Sequence, residues 1–87
     1  MKTIEQIEAE IKETLGDTYK INVSNSDAWS KTLIGISIRW DYIGFYEGNS
    51  MYSENEFVYL NKQTLKVERV SNSTLTVVKK VLAICNS

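Results

Sequence analysis

Seven side chains that bind other molecules well gather in one stretch: Asp41, Tyr42, Tyr46, Glu47, Tyr52, Glu54 and Glu56, with no Lys or Arg between Arg39 and Lys62. Carboxylates pair with Lys and Arg, and phenol rings add rigid contact area with a polar tip. That combination is the chemistry of macromolecular recognition rather than of bond making. Eight of the nine aromatic residues lie between Trp29 and Tyr59. Trp40, Phe45 and Phe57 are assigned to the core, with Trp29 a further candidate, and only about half of the tyrosines need be exposed. Glu54 and Glu56 are two apart and project to one side of an extended chain, a spacing open to paired-carboxylate catalysis or calcium. A solvated acidic surface is the simpler reading.

Catalytic machinery is hard to build from the remaining residues. The chain has no histidine, so it lacks the usual proton carrier near neutral pH, and Ser–His or Cys–His dyads cannot form. Cys85 is the only cysteine. It falls at the carboxyl end of a predicted helix, where the dipole disfavours a thiolate, and an intrachain disulfide is impossible. One Cys without His does not make a zinc site. Gly44 and Gly48 lack the Lys-Ser/Thr that would follow in a phosphate-binding loop. The expectation is no catalytic residue, no metal and no cofactor.

A second, basic group lies further on. Residues 59–87 carry five bases and one acid against five bases and ten acids in residues 1–58, for a net charge of −1. Tyr59, Lys62, Lys66 and Arg69 could gather on a hairpin and take single-stranded nucleic acid, the phenol ring stacking on a base while the cations meet phosphate. The patch is thin for that purpose, and nucleic-acid binding stands as the alternative to protein binding.

These residues need elements to hold them. Thr3 and Gln6 form a capping-box pattern, and Ile4, Ile7, Ile11 and Leu15 recur at helical spacing up to Gly16, which predicts an amphipathic helix. Tyr19, Ile21 and Val23 alternate as a short strand, followed by turn residues Ser24 to Asp27. Ile34, Ile36, Ile38 and Trp40 alternate as a half-buried strand. The pattern changes at Asp41-Tyr42, which predicts a bend or hairpin; Gly48-Asn49-Ser50 reads as a turn and Met51 to Glu56 as a mobile loop. Phe57 to Leu60 and Leu65 to Val70 form a further hairpin. Ser71 or Ser73 is expected to cap a final helix with Leu75, Val78, Leu82 and Cys85 on its stripe, widened by Val81.

The predicted whole is an α+β two-layer sandwich over residues 1–87, a single compact domain. An antiparallel sheet of four to five strands carries an N-terminal and a C-terminal helix on one face, in the order α-β-β-β-β-α. No segment is apolar enough for a bilayer and no signal-peptide core is visible, so a cytoplasmic protein without membrane contact is expected. The function expected is that of a small non-enzymatic inhibitor or adaptor. It would dock its acidic tyrosine-rich surface on a larger protein with a basic surface, nucleic-acid-handling proteins among the candidates, and a homodimer is the further possibility. In size and composition alone the chain is similar to the anti-defence and anti-CRISPR inhibitors of phages and mobile elements.

Overall fold

The first helix opens on side chains that satisfy its own start. In the computed structural model, which describes residues 2–87, the Gln6 N–H donates to the Thr3 hydroxyl at 3.2 Å, and the Thr3 N–H donates to the Gln6 side-chain oxygen at 2.8 Å. This reciprocal box occupies donors that a helix start otherwise leaves open. Helix α1 spans Ile4–Leu15, buries Ile7, Ile11 and Leu15, and stops at Gly16, whose φ of 69° suits a residue without Cβ.

One 3-10 turn at Gly16–Thr18 leads to strand β1 (Lys20–Ser24). Strands β2 (Leu33–Tyr46), β3 (Asn49–Asn61) and β4 (Val67–Val70) follow, and helix α2 (Thr76–Cys85) closes the chain. The sheet has order β1-β2-β3-β4 and every neighbouring pair is antiparallel. The layout is the expected α-β-β-β-β-α, with both helices on one sheet face and an open face opposite.

Period-two alternation builds the core. Ile34, Ile36 and Ile38 point to the helices, with Leu60 and Val58 as cross-strand partners of the first two, and all five are fully or almost fully buried. Ile7, Ile11 and Leu15 from α1 and Val77, Val78, Val81 and Ile84 from α2 complete the same cluster. Burial of branched aliphatic side chains, each worth about 1.5–3 kcal/mol, is the main force holding the two layers together. Trp40 packs at the edge of the core, in edge-to-face contact with Tyr19 at a centroid distance of 5.6 Å.

Several local expectations are corrected. Met51 to Glu56 is not a loop: it belongs to β3 and pairs with β2 out to the turn. Backbone pairing orders this ribbon even though its side chains show no apolar alternation. The turn lies one residue earlier than expected, at Glu47 and Gly48, both at positive φ (50° and 83°), the two-residue geometry that matches strand twist. The predicted bend at Asp41-Tyr42 is present. Asp41 has φ 58°, and the pairing slips by one residue between Tyr42 and Gly44, a β-bulge.

Phe45 is not in the core; it is 68% exposed, because it lies on the ribbon beyond the helical cover. Phe57 is half-buried but faces the open side, opposite Ser37. Neither Ser71 nor Ser73 caps α2, whose start has no side-chain cap. The Ser71 hydroxyl is instead spent on β3, accepting from the Phe57 N–H at 2.9 Å and donating to Glu56. The buried stripe of α2 is Val77, Val78, Val81 and Ile84, while Leu75, Leu82 and Cys85 pack only partly against the core.

This division predicts two different mutational outcomes. Ile36→Ala should lower unfolding stability by about 2–5 kcal/mol, whereas Ile43→Ala on the ribbon should change it by less than about 0.5 kcal/mol, both read by urea denaturation.

Candidate functional site

Beyond Trp40 the β2–β3 hairpin continues as a two-stranded arm with no buried side chain from Asp41 to Asn55. Among the described residues it carries the most exposed of the large apolar groups: Ile43 at 67%, Phe45 at 68% and Tyr46 at 66% exposure, with Tyr42 and Met51 beside them. Tyr42 and Tyr52 are cross-strand partners, and their rings meet edge to face at 5.6 Å. An isolated two-stranded ribbon is marginal in water. The bulge, the tight turn and this ring pair are what shape it.

Five of the seven acidic and tyrosine positions singled out from the sequence lie on the exposed arm: Asp41, Tyr42, Tyr46, Glu47 and Glu54. Tyr52 is also on the arm but half-buried against Tyr42. Glu56 is set apart, half-buried at the end nearer the core, opposite Ile38 and bonded to Ser71. Among the described residues Asp41, Glu47 and Glu54 take part in no ion pair. Their charge therefore faces solvent. Sequence reasoning missed Ile43, Phe45 and Met51, which are as available as the tyrosines. The break in alternation at Asp41 was the signal that they leave the core.

The basic group is not brought together. Tyr59 and Arg69 are register partners across β3 and β4 on the open face. Lys62 is committed elsewhere: its ammonium donates to Asp27 Oδ1 at 2.6 Å and to the Ser30 carbonyl at 2.7 Å. Lys66 lines a separate hollow of about 420 Å³ with Lys2, Ile7 and Cys85.

What the open face holds instead is a row of aromatic rings. Lys62 anchors the loop that carries Trp29, and the indole lies over Gly35, where a Cβ would come within 2.8 Å of the ring. Glycine is required there by close approach. Trp29 meets Tyr59 at 5.8 Å and Tyr59 stacks on Phe57 at 4.8 Å. These three rings line a shallow trough of about 200 Å³ together with Arg39, Asn55 and Ser37. Arg39 and Asn55 also line a second depression of about 140 Å³ with Met51 and Tyr52, so the trough runs on to the base of the arm.

Cys85 offers little reactivity. Burial pushes its thiol up to about 11, with the Lys2 ammonium pulling weakly the other way. Among the described residues no group of three or more His, Cys, Asp or Glu is placed to hold a metal ion, and no helix is long and apolar enough to cross a membrane. Compared with known protein families, with curated proteins and with solved structures, the chain matches none of them.

The raised thiol predicts a pH effect of definite sign. The unfolded chain ionises Cys85 from about 9 upward while the folded chain holds its proton to about 11. The stability contributed by this proton is therefore complete below pH 9 and lost as pH rises to 11. Thermal melts of the wild type and Cys85→Ala should converge across that window, and parallel curves would exclude the effect.

Proposed function

We propose that the chain is a non-enzymatic protein-binding module whose β2–β3 arm docks on a larger protein with a basic, apolar-floored surface. The observation that carries this reading is the coincidence, on an arm that adds nothing to the core, of exposed Tyr42, Ile43, Phe45 and Tyr46 with the unpaired carboxylates Asp41, Glu47 and Glu54. Large apolar groups held in water gain free energy when another surface covers them, at roughly 25 cal/mol per Å². The carboxylates around them speed encounter with a cationic partner and disfavour acidic ones. The ribbon is already paired in the free chain and supplies both strand edges and side chains for contact. A basic partner of this kind includes proteins whose own ligand is nucleic acid, and occupation of that surface would inhibit them.

The reading is tested with the triple variant Tyr42→Ala, Tyr46→Ala and Tyr52→Ala. Hot-spot truncations cost upwards of about 2 kcal/mol each, so the variant should fail to retain any protein that the wild type captures from cell extract, while its circular dichroism stays that of the folded chain. Undiminished capture overturns the proposal. Replacing Asp41, Glu47 and Glu54 by their amides should slow association and flatten its salt dependence. Light scattering adds a separate check: a dimer that the triple variant abolishes would make a second copy the occupant and displace the basic partner.

A further inference from the structure

The open sheet face carries a charge pattern opposite to that of the arm. Three cross-strand rows cross it: Lys20, Arg39 and Asn55; Asn22, Ser37 and Phe57; and Ser24, Gly35, Tyr59 and Arg69. Those rows contain three cations and no carboxylate, on a chain whose net charge is −1, and the adjoining Glu68, which precedes Arg69, accepts from the Asn61 side chain at 3.1 Å. Lys20 and Arg39 stand directly opposite one another, an arrangement that repels unless an anion lies between or over the pair. Arg39 Nε is, moreover, buried without any hydrogen-bond partner. Leaving that donor unpaired is costly, and the cost is tolerated at the residue that lines both depressions of this face.

Alongside the cations run the aromatic rings. Trp29, Tyr59 and Phe57 form a row of rings in contact with one another, Trp29 47% exposed and the other two half-buried. Arg69 stands across from the middle ring and Arg39 lies on the next row but one. From Tyr59 to Asn55 the strand advances roughly 13 Å. An antiparallel four-stranded sheet with aromatic groups on its open face and cations beside them can stack two or three unpaired bases while the cations meet phosphate. A duplex fits poorly, since its bases are already stacked and only its phosphates remain to be met.

From these placements we infer that the open face binds single-stranded nucleic acid, bases on Trp29, Phe57 and Tyr59 and phosphates on Lys20, Arg39 and Arg69. The site lies on the sheet face, meets the arm only at its base, where Asn55 lines the trough, and does not depend on the protein-docking proposal. Lys62 has a positioning role only: its bonds to Asp27 and Ser30 hold the loop that presents Trp29. Asn55, Ser37 and Asn22 supply neutral donors and acceptors to base edges along the trough.

The test is fluorescence anisotropy with the intact chain and a labelled oligothymidylate or oligouridylate of about 12 nucleotides. Three phosphate contacts give a logarithmic salt slope of about −2, so affinity should fall roughly 20-fold between about 50 and 200 mM salt. Tyr59→Leu, which keeps apolar bulk but removes the π face, should weaken binding at least about 10-fold. Arg39→Gln with Arg69→Gln should flatten the slope to about −0.7. Phe45→Ala with Tyr46→Ala, on the arm but outside the depression that Tyr52 shares with Arg39, should bind the strand as the wild type does, which separates this site from the docking proposal. No binding at the lowest salt, no effect of Tyr59→Leu, equal affinity for duplex, or equal competition by an oligoglutamate peptide would each overturn the inference.

Discussion

The structure depends on how far two short helices can reach over long strands. Helices of 12 and 10 residues are about 18 and 15 Å long, while the 14 residues of the bent strand β2 have a contour length of roughly 45 Å. The helices therefore shelter the part of the sheet around Ile34, Ile36, Ile38, Val58 and Leu60 and no more. Past Trp40 the hairpin has to stand on backbone pairing alone. The exposure of Phe45 and Tyr46 follows from that mismatch in length, as does the need for a bulge and a tight turn to give the ribbon its shape.

The same core leaves the opposite sheet face uncovered, and there a small set of contacts organises the surface. Lys62 ties down the Ser26–Ser30 turn, the turn delivers Trp29 to the gap left by Gly35, and the indole then lies against Tyr59. A lysine that looks available for ligand binding is thus part of the scaffold. Arg39 sits where the two surfaces meet, lining both the aromatic trough and the depression at the root of the arm. The molecule presents an acidic, apolar arm and a basic, aromatic sheet face side by side.

Much of the fold was legible in the residues because local rules and burial agree there. The Thr3–Gln6 box, the Ile7-Ile11-Leu15 stripe and the alternation from Ile34 to Trp40 each serve both the local element and the core. The arm was harder. Met51 to Glu56 has no apolar alternation because neither of its faces is covered, so the usual signal for a strand is missing even though the pairing is regular. Phe45 was misplaced because hydrophobicity argues for burial and cannot report that the cover has run out. The roles of Lys62 and Ser71 were illegible for another reason. Each is fixed by a partner distant in sequence, Asp27 and Phe57, and only the folded chain brings those pairs together. Whether the central tyrosines pack or face water was open in the sequence, and it is decided by where the helical cover ends.

The arm's independence from the interior has a bearing on how such a chain changes over generations. Residues that fill the interior must be replaced with compensating volume, which restrains their drift, whereas positions 41 to 55 answer to no such packing demand. Substitution there can proceed almost freely so long as the turn glycine and the strand pairing persist. A lineage built on this plan can diverge quickly along the arm while the scaffold beneath it stays recognisable.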